Sequence, residues 1–66
     1  MFISYSAIKK ILKEAGAERI NKNAIIKFQI YINEISFKKA KQTVILAKHA
    51  KRKTIGLSDV NLAIKN

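Results

Sequence analysis

The stretch NKNAIIKFQIYINEISFKKAKQTVILAKHA, Asn21 to Ala50, holds neither proline nor glycine. Nothing in it stops a helix once one has begun. Asn21 is a good N-cap, because its side-chain oxygen can accept from the free amides of a first turn. The segment therefore predicts one unbroken helix from just after Asn21 to about His49 or Ala50. Some 28 residues at about 1.5 Å each make a rod of about 42 Å. Ala24, Phe28, Ile32 and Ile35 mark one apolar stripe on it, extended by Leu46 and Ala50. Ile26, Ile30, Phe37, Ala40, Val44 and Ala47 mark a second. Together the stripes are too broad for one flat contact. The alanines and Ser36 would let another helix cross closely.

The flanks are shorter. From about Ser4 to Ala15, Ile8, Ile11, Leu12 and Ala15 follow the spacing of one helix face. Ser4 or Ser6 can cap that helix, and Gly16 suits the left-handed position just past its end. Downstream, Ser58 reads as an N-cap, with Asp59 at the dipole-favoured start of a third helix. Val60, Leu62, Ala63 and Ile64 supply its apolar contacts, and alone it is marginal. The connectors GAERIN (16–21) and KRKTIGL (51–57) each set a β-branched residue beside basic ones, so each can form a brief extended segment. The expected architecture is all-α: short helix, loop, long helix, loop, short helix, forming one domain over 1–66.

Such a chain cannot bury itself. It has 66 residues and no Cys, so no disulfide or thiolate metal site can staple it. Flanking helices of about 11 and 8 residues reach only about 16 and 12 Å along the rod. A second copy crossing near the middle of the long helix covers the rest. The expectation is an obligate dimer that folds as it associates.

Charge narrows the partner. The chain carries 14 Lys+Arg against 4 Asp+Glu, a formal net charge of +10. That balance favours nucleic acid, an anionic membrane or an acidic protein. At 48% hydrophobic residues, the chain is too apolar for a disordered basic tail. No apolar run approaches the roughly 18 residues of a membrane span, and MFISYSAIKK lacks the layout of a signal peptide. A cytoplasmic protein is expected. One His and four scattered carboxylates build no catalytic or metal cluster, and no glycine loop suits a phosphate cofactor, so neither enzyme nor cofactor is expected.

Three segments carry a family likeness. AGAERIN (15–21), AKHAKRKTI (47–55) and SDVNLAI (58–64), at these spacings, resemble the archaeal histones, and the likeness runs along nearly the whole chain. It implies the histone fold: a handshake dimer with the first loop of each chain beside the second loop of the other. It also implies a chromosome-associated protein with double-stranded DNA as the partner, bound and wrapped with little sequence preference and no cofactor.

The resemblance assigns roles to residues that also have plainer readings. Arg19, otherwise a solvated loop charge, would enter the minor groove where it faces the protein. Lys53 and Thr54 would hold consecutive phosphates, and Lys51 would either join them or stay solvated. Arg52 would pair with Asp59 inside the chain. Lys10, and less directly Lys9 and Lys13, would meet phosphates at the centre of the bound DNA. Asn21 would cap an amide-rich helix start that attracts anions. Leu46, His49 and Asp59 would build a four-helix contact between dimers, giving tetramers or longer polymers, and a His49–carboxylate bond there would make association pH-sensitive. Gly16 is either a plain helix cap or the small residue that lets turns of a histone–DNA superhelix stack, helped by Glu14, Glu34, Lys48 and Lys65.

Three positions depart from the family pattern. Lys39 stands where an aliphatic residue is usual, and a buried lysine without a partner is unfavourable. Ile30 and Phe37 stand where polar residues are common, so an exposed apolar patch is expected. These leave room for a heterodimer with another histone-fold chain that regulates transcription. A membrane-active basic helix is the remaining alternative.

Overall fold

A computed structural model describes residues 2–65. It holds three helices, α1 (Tyr5–Glu14), α2 (Lys22–His49) and α3 (Leu57–Lys65). The expected order is observed, and α2 runs unbroken for 28 residues. Among the described residues neither connector forms a strand or bridge within the chain. The chain divides into two compact units, Met1–Ile35 and Ser36–Asn66.

The first unit holds α1 and the N-terminal part of α2. Ser4 is the cap of α1, its hydroxyl accepting from the Ala7 amide at 3.1 Å. Ile8 and Ile25 are fully buried, at 0% and 1% exposure. Asn33 organises the rest. Its Oδ1 accepts from the amides of Phe2 (2.9 Å) and Ile3 (2.7 Å), while its Nδ2 donates to Ile3 O and Gln29 O. Gln29 Nε2 also donates to Ile3 O. One buried side-chain amide thus satisfies an extended segment that no strand pairs.

α1 ends as its sequence requires. The Gly16 amide donates to Lys13 O and the Ala17 amide to Leu12 O, the paired bonds of a Schellman end. Gly16 has φ +114, where a side chain is disfavoured.

The second unit holds the remainder of α2, and α3. Its buried side chains are small or polar: Thr43, Ala47, Asp59 and Ala63. α2 ends in the same paired motif as α1, Lys51 N to Lys48 O and Arg52 N to Ala47 O. Here the left-handed position, φ +60, falls on Lys51. For an L-residue with a side chain that backbone costs about 1–2 kcal/mol.

Two expectations change here. Ser58 is not the N-cap of α3; it lies inside the first turn, and the Gly56 carbonyl takes the first helical bonds, from Asp59 and Val60. Asp59 reaches back to accept from the Gly56 amide at 2.8 Å, the return half of a capping box. Lys39, half-buried, donates from Nζ to Ala63 O at 2.9 Å, near the C-terminal end of α3. A cation there meets free carbonyls and the negative end of the dipole, which offsets its burial.

Candidate nucleic-acid interface

The second loop is shaped by one ion pair. Arg52 Nη2 donates to Asp59 Oδ1 at 2.6 Å and Nη1 to Asp59 Oδ2 at 2.7 Å, a bidentate fork. Arg52 Nη1 also donates to Thr54 O at 3.3 Å. The Asp59 side chain is 6% exposed and that of Arg52 42%. The guanidinium, and then the Gly56 amide, lower the Asp59 carboxyl to about 2. Asp59 raises the Arg52 guanidinium in turn, chiefly through the hydrogen bond. The expected internal pair is therefore present. It removes Arg52 from the free cations and leaves Lys51, Lys53 and Thr54 exposed on a loop closed beneath them. Beside that loop lies a groove of about 290 Å³, with Val44, Ala47 and Ile55 as apolar lining and Lys48, Arg52 and Lys53 as basic lining.

The first loop is pinned at both ends. Lys13 Nζ donates to Glu18 O at 2.7 Å. Asn21 caps α2 as expected, its Oδ1 accepting from the Asn23 amide at 2.7 Å. Between these anchors Arg19 is exposed, flanked by the half-buried Ile20. The structure thus gives Lys13 a loop carbonyl as partner, while Lys9 and Lys10 are exposed on α1.

The remaining expected site residues fall at the end of α2 and the start of α3. Leu46 is half-buried and His49 exposed, whereas Asp59 is 5% exposed with both oxygens already bonded. Gln42, Ile45, Leu46 and Ala63 line a groove of about 250 Å³. In it Gln42 Oε1 is buried with no donor from the described residues. Ile30 and Phe37 are exposed, as their departure from the family pattern implied. Phe37 lies under the Lys41 ammonium, 5.6 Å from its ring centre.

Sequence reading missed three features. Asn33 looked like one more polar position, because its bonds run to backbone amides some 30 residues away. The Lys13–Glu18 bond had no spacing signature. The left-handed Lys51 had one: it stands two positions past the end of its helix, where α1 places Gly16.

Residues 1–64 match the family described as histone-like transcription factor (CBF/NF-Y) and archaeal histone. The chain belongs to that family. It is similar to probable archaeal histone 3 of Methanocaldococcus jannaschii, 45% identical over 56 residues, covering 85% of this chain and 84% of that protein. It is also similar to one of the subunits of the archaeal histone HAN1 of Thermococcus zilligii, 36% identical over 58 residues, covering 88% of this chain and 87% of that protein. For a histone-family chain the three helices and the two loops between them are the expected elements, and a DNA-binding chromatin role follows from membership. No helix among the described residues is long and apolar enough to cross a membrane.

Proposed function

We propose that this chain packages double-stranded DNA, as a homodimer whose two copies form one handshake domain and wrap the duplex with little sequence preference. The observation that carries the reading is the division of labour in the second loop. Arg52 is consumed by Asp59, while Lys53 and Thr54 stay outward. In the handshake arrangement, Arg19 of one copy stands beside Lys53 and Thr54 of the other. Arg19 enters the minor groove and the other two bind phosphates. Lys10 and the α2 start capped by Asn21 add contacts. Binding runs on counterion release, so affinity falls steeply with salt.

The dimer is supported by what one chain leaves uncovered. Phe37, Ile45, Tyr31, Leu57, Leu62 and Ile64 are all exposed, against four buried apolar residues among those described. Gln42 Oε1 has no donor among the described residues. A partner's surface supplies both needs, and the groove beside Lys53 gives its first loop a seat. Leu46 and His49, next to the Asp59 pair, join dimers into tetramers or longer polymers, and Gly16 lets successive turns stack.

Nuclease digestion of duplex DNA saturated with the protein tests this. A ladder of protected lengths rising by a constant step is expected. Digestion as of naked DNA at low salt overturns the reading.

A second reading rests on the relative whose name makes it part of a multi-chain histone and on exposed Ile30 and Phe37. There the chain pairs with a different histone-fold chain and regulates transcription. A chain that folds cooperatively by itself as a homodimer counts against it.

A further inference from the structure

Two helices of this chain end in the same motif, and only one of them ends on glycine. After α1, the bonds Gly16 N to Lys13 O and Ala17 N to Leu12 O enclose Gly16 at φ +114. After α2, the bonds Lys51 N to Lys48 O and Arg52 N to Ala47 O enclose Lys51 at φ +60. Among the described residues Lys51 is the one residue with a side chain in that region. Its Cβ is crowded by the following carbonyl, and glycine would take the same turn without that strain.

Charge adds a second penalty at the same residue. Lys48, Arg52 and Lys53 lie within three positions of Lys51, and of these four cations Arg52 is the one paired with a carboxylate of the described residues. A cation past a helix end gains from the dipole, but Lys48 and His49 already stand in the last turn. In the free chain, then, the lysine is the wrong residue twice over: strained in its backbone and repelled by its neighbours. A polyanion at the loop removes the charge repulsion; the backbone strain stays, and the binding energy gained through the ammonium compensates it. Strain kept at an exposed position is a mark of function when something outside the chain compensates it.

We propose that Lys51 is a phosphate-binding residue, its ammonium acting with that of Lys53 on neighbouring phosphates of the duplex. The proposal rests on the DNA-binding reading of the same loop and deepens it. It makes the turn after α2 a trade of folding stability for affinity. Glycine there would give a firmer fold and a weaker grip.

Three variants separate backbone from charge: Lys51→Gly relieves both, Lys51→Gln removes only the charge, and Lys51→Arg keeps both. The readouts are thermal unfolding without DNA and the slope of log affinity against log salt on a duplex of fixed length. Lys51→Gly is expected to unfold at a higher temperature, with a slope shallower by about 0.9 for each phosphate no longer neutralised. Lys51→Gln shows the shallower slope without the full rise in unfolding temperature, and Lys51→Arg keeps the wild-type slope. Wild-type slopes in both Lys51→Gly and Lys51→Gln overturn the proposal while leaving DNA binding intact. A wild-type chain with no salt-dependent binding overturns the DNA reading, and the role of Lys51 with it.

Discussion

Arg52 Nη2 lies 2.6 Å from Asp59 Oδ1, and Arg52 Nη1 lies 2.7 Å from Asp59 Oδ2. The most basic run of the chain therefore carries one cation that is paired within the chain. This pair spans the turn from the end of α2 to the first turn of α3, and the Gly56 amide shares its carboxylate. Asp59 thus does three things at once: it fixes the loop, caps α3 and neutralises Arg52.

Replacing Asp59 should unfold the second unit more readily than replacing Lys53 would. Asp59→Asn leaves Arg52 without its counter-charge and weakens the cap. A clear fall in unfolding temperature is expected, larger than for Lys53→Ala. Denaturation monitored by far-UV circular dichroism measures it, and equal stability of the two variants would remove the pair from this structural role.

The same pair sets an acid limit. In the fold the Asp59 carboxyl is lowered to about 2 from an ordinary 3.8. The unfolded chain therefore takes up this proton first as pH falls. The stabilisation is complete above pH 3.8 and is lost as pH drops toward 2. Unfolding temperatures taken across that window should fall for the wild type and stay flatter for Asp59→Asn. Parallel curves would show that another group governs acid unfolding.

Removing Arg19 and Lys53 together should act on DNA and spare the fold. Both side chains are exposed on loops held by other residues, Lys13 and Asn21 for one, Arg52 and Asp59 for the other. Folding stability of Arg19→Ala/Lys53→Ala should stay within about 0.5 kcal/mol of the wild type. Its salt slope should drop by about 0.9 for each phosphate left unneutralised. Unchanged binding at every salt concentration would remove these residues from the interface.

Asn33 offers a prediction that composition never suggested. Its amide closes four bonds, three of them to the backbone of Phe2 and Ile3. Asn33→Ala takes the acceptor Oδ1 from the Phe2 and Ile3 amides, while Ile3 O keeps Gln29 Nε2, at about 1–3 kcal/mol for an amide left unsatisfied. Fast hydrogen exchange at the Phe2 and Ile3 amides, with lower stability to urea, is the expected result. Protected amides in the variant would show that the segment is held some other way.

What the sequence made legible was local. The breaker-free run from Asn21, the cap at Ser4 and the glycine after α1 act on the nearest turn, so spacing alone found three helices. The Arg52–Asp59 pair was legible only through the family likeness, because charge spacing does not say which of Lys51, Arg52 and Lys53 takes the carboxylate. Ser58 was misplaced because serine is the better cap in isolation, while here the carboxylate at the third helical position selects Gly56. Lys39 looked unfavourable because its acceptor, Ala63 O, belongs to an element 24 residues on. Long-range bonds of this kind leave no period to count.

Gly16 separates a folding role from an assembly role. At φ +114 any side chain is strained, so Gly16→Ala and Gly16→Leu should both lose about 1 kcal/mol. Apart from its two chain neighbours, no described residue places a heavy atom within 4 Å of the position a Cβ would occupy. The chain itself therefore has little reason to distinguish alanine from leucine. A neighbouring copy does, if turns of the superhelix close over this loop. The expected outcome is near-equal unfolding of the two variants, with the longest nuclease-protected fragments lost in Gly16→Leu and retained longer in Gly16→Ala. Identical ladders would confine Gly16 to its role as a helix cap. Loss of every protected length in both variants would place the fault in the fold.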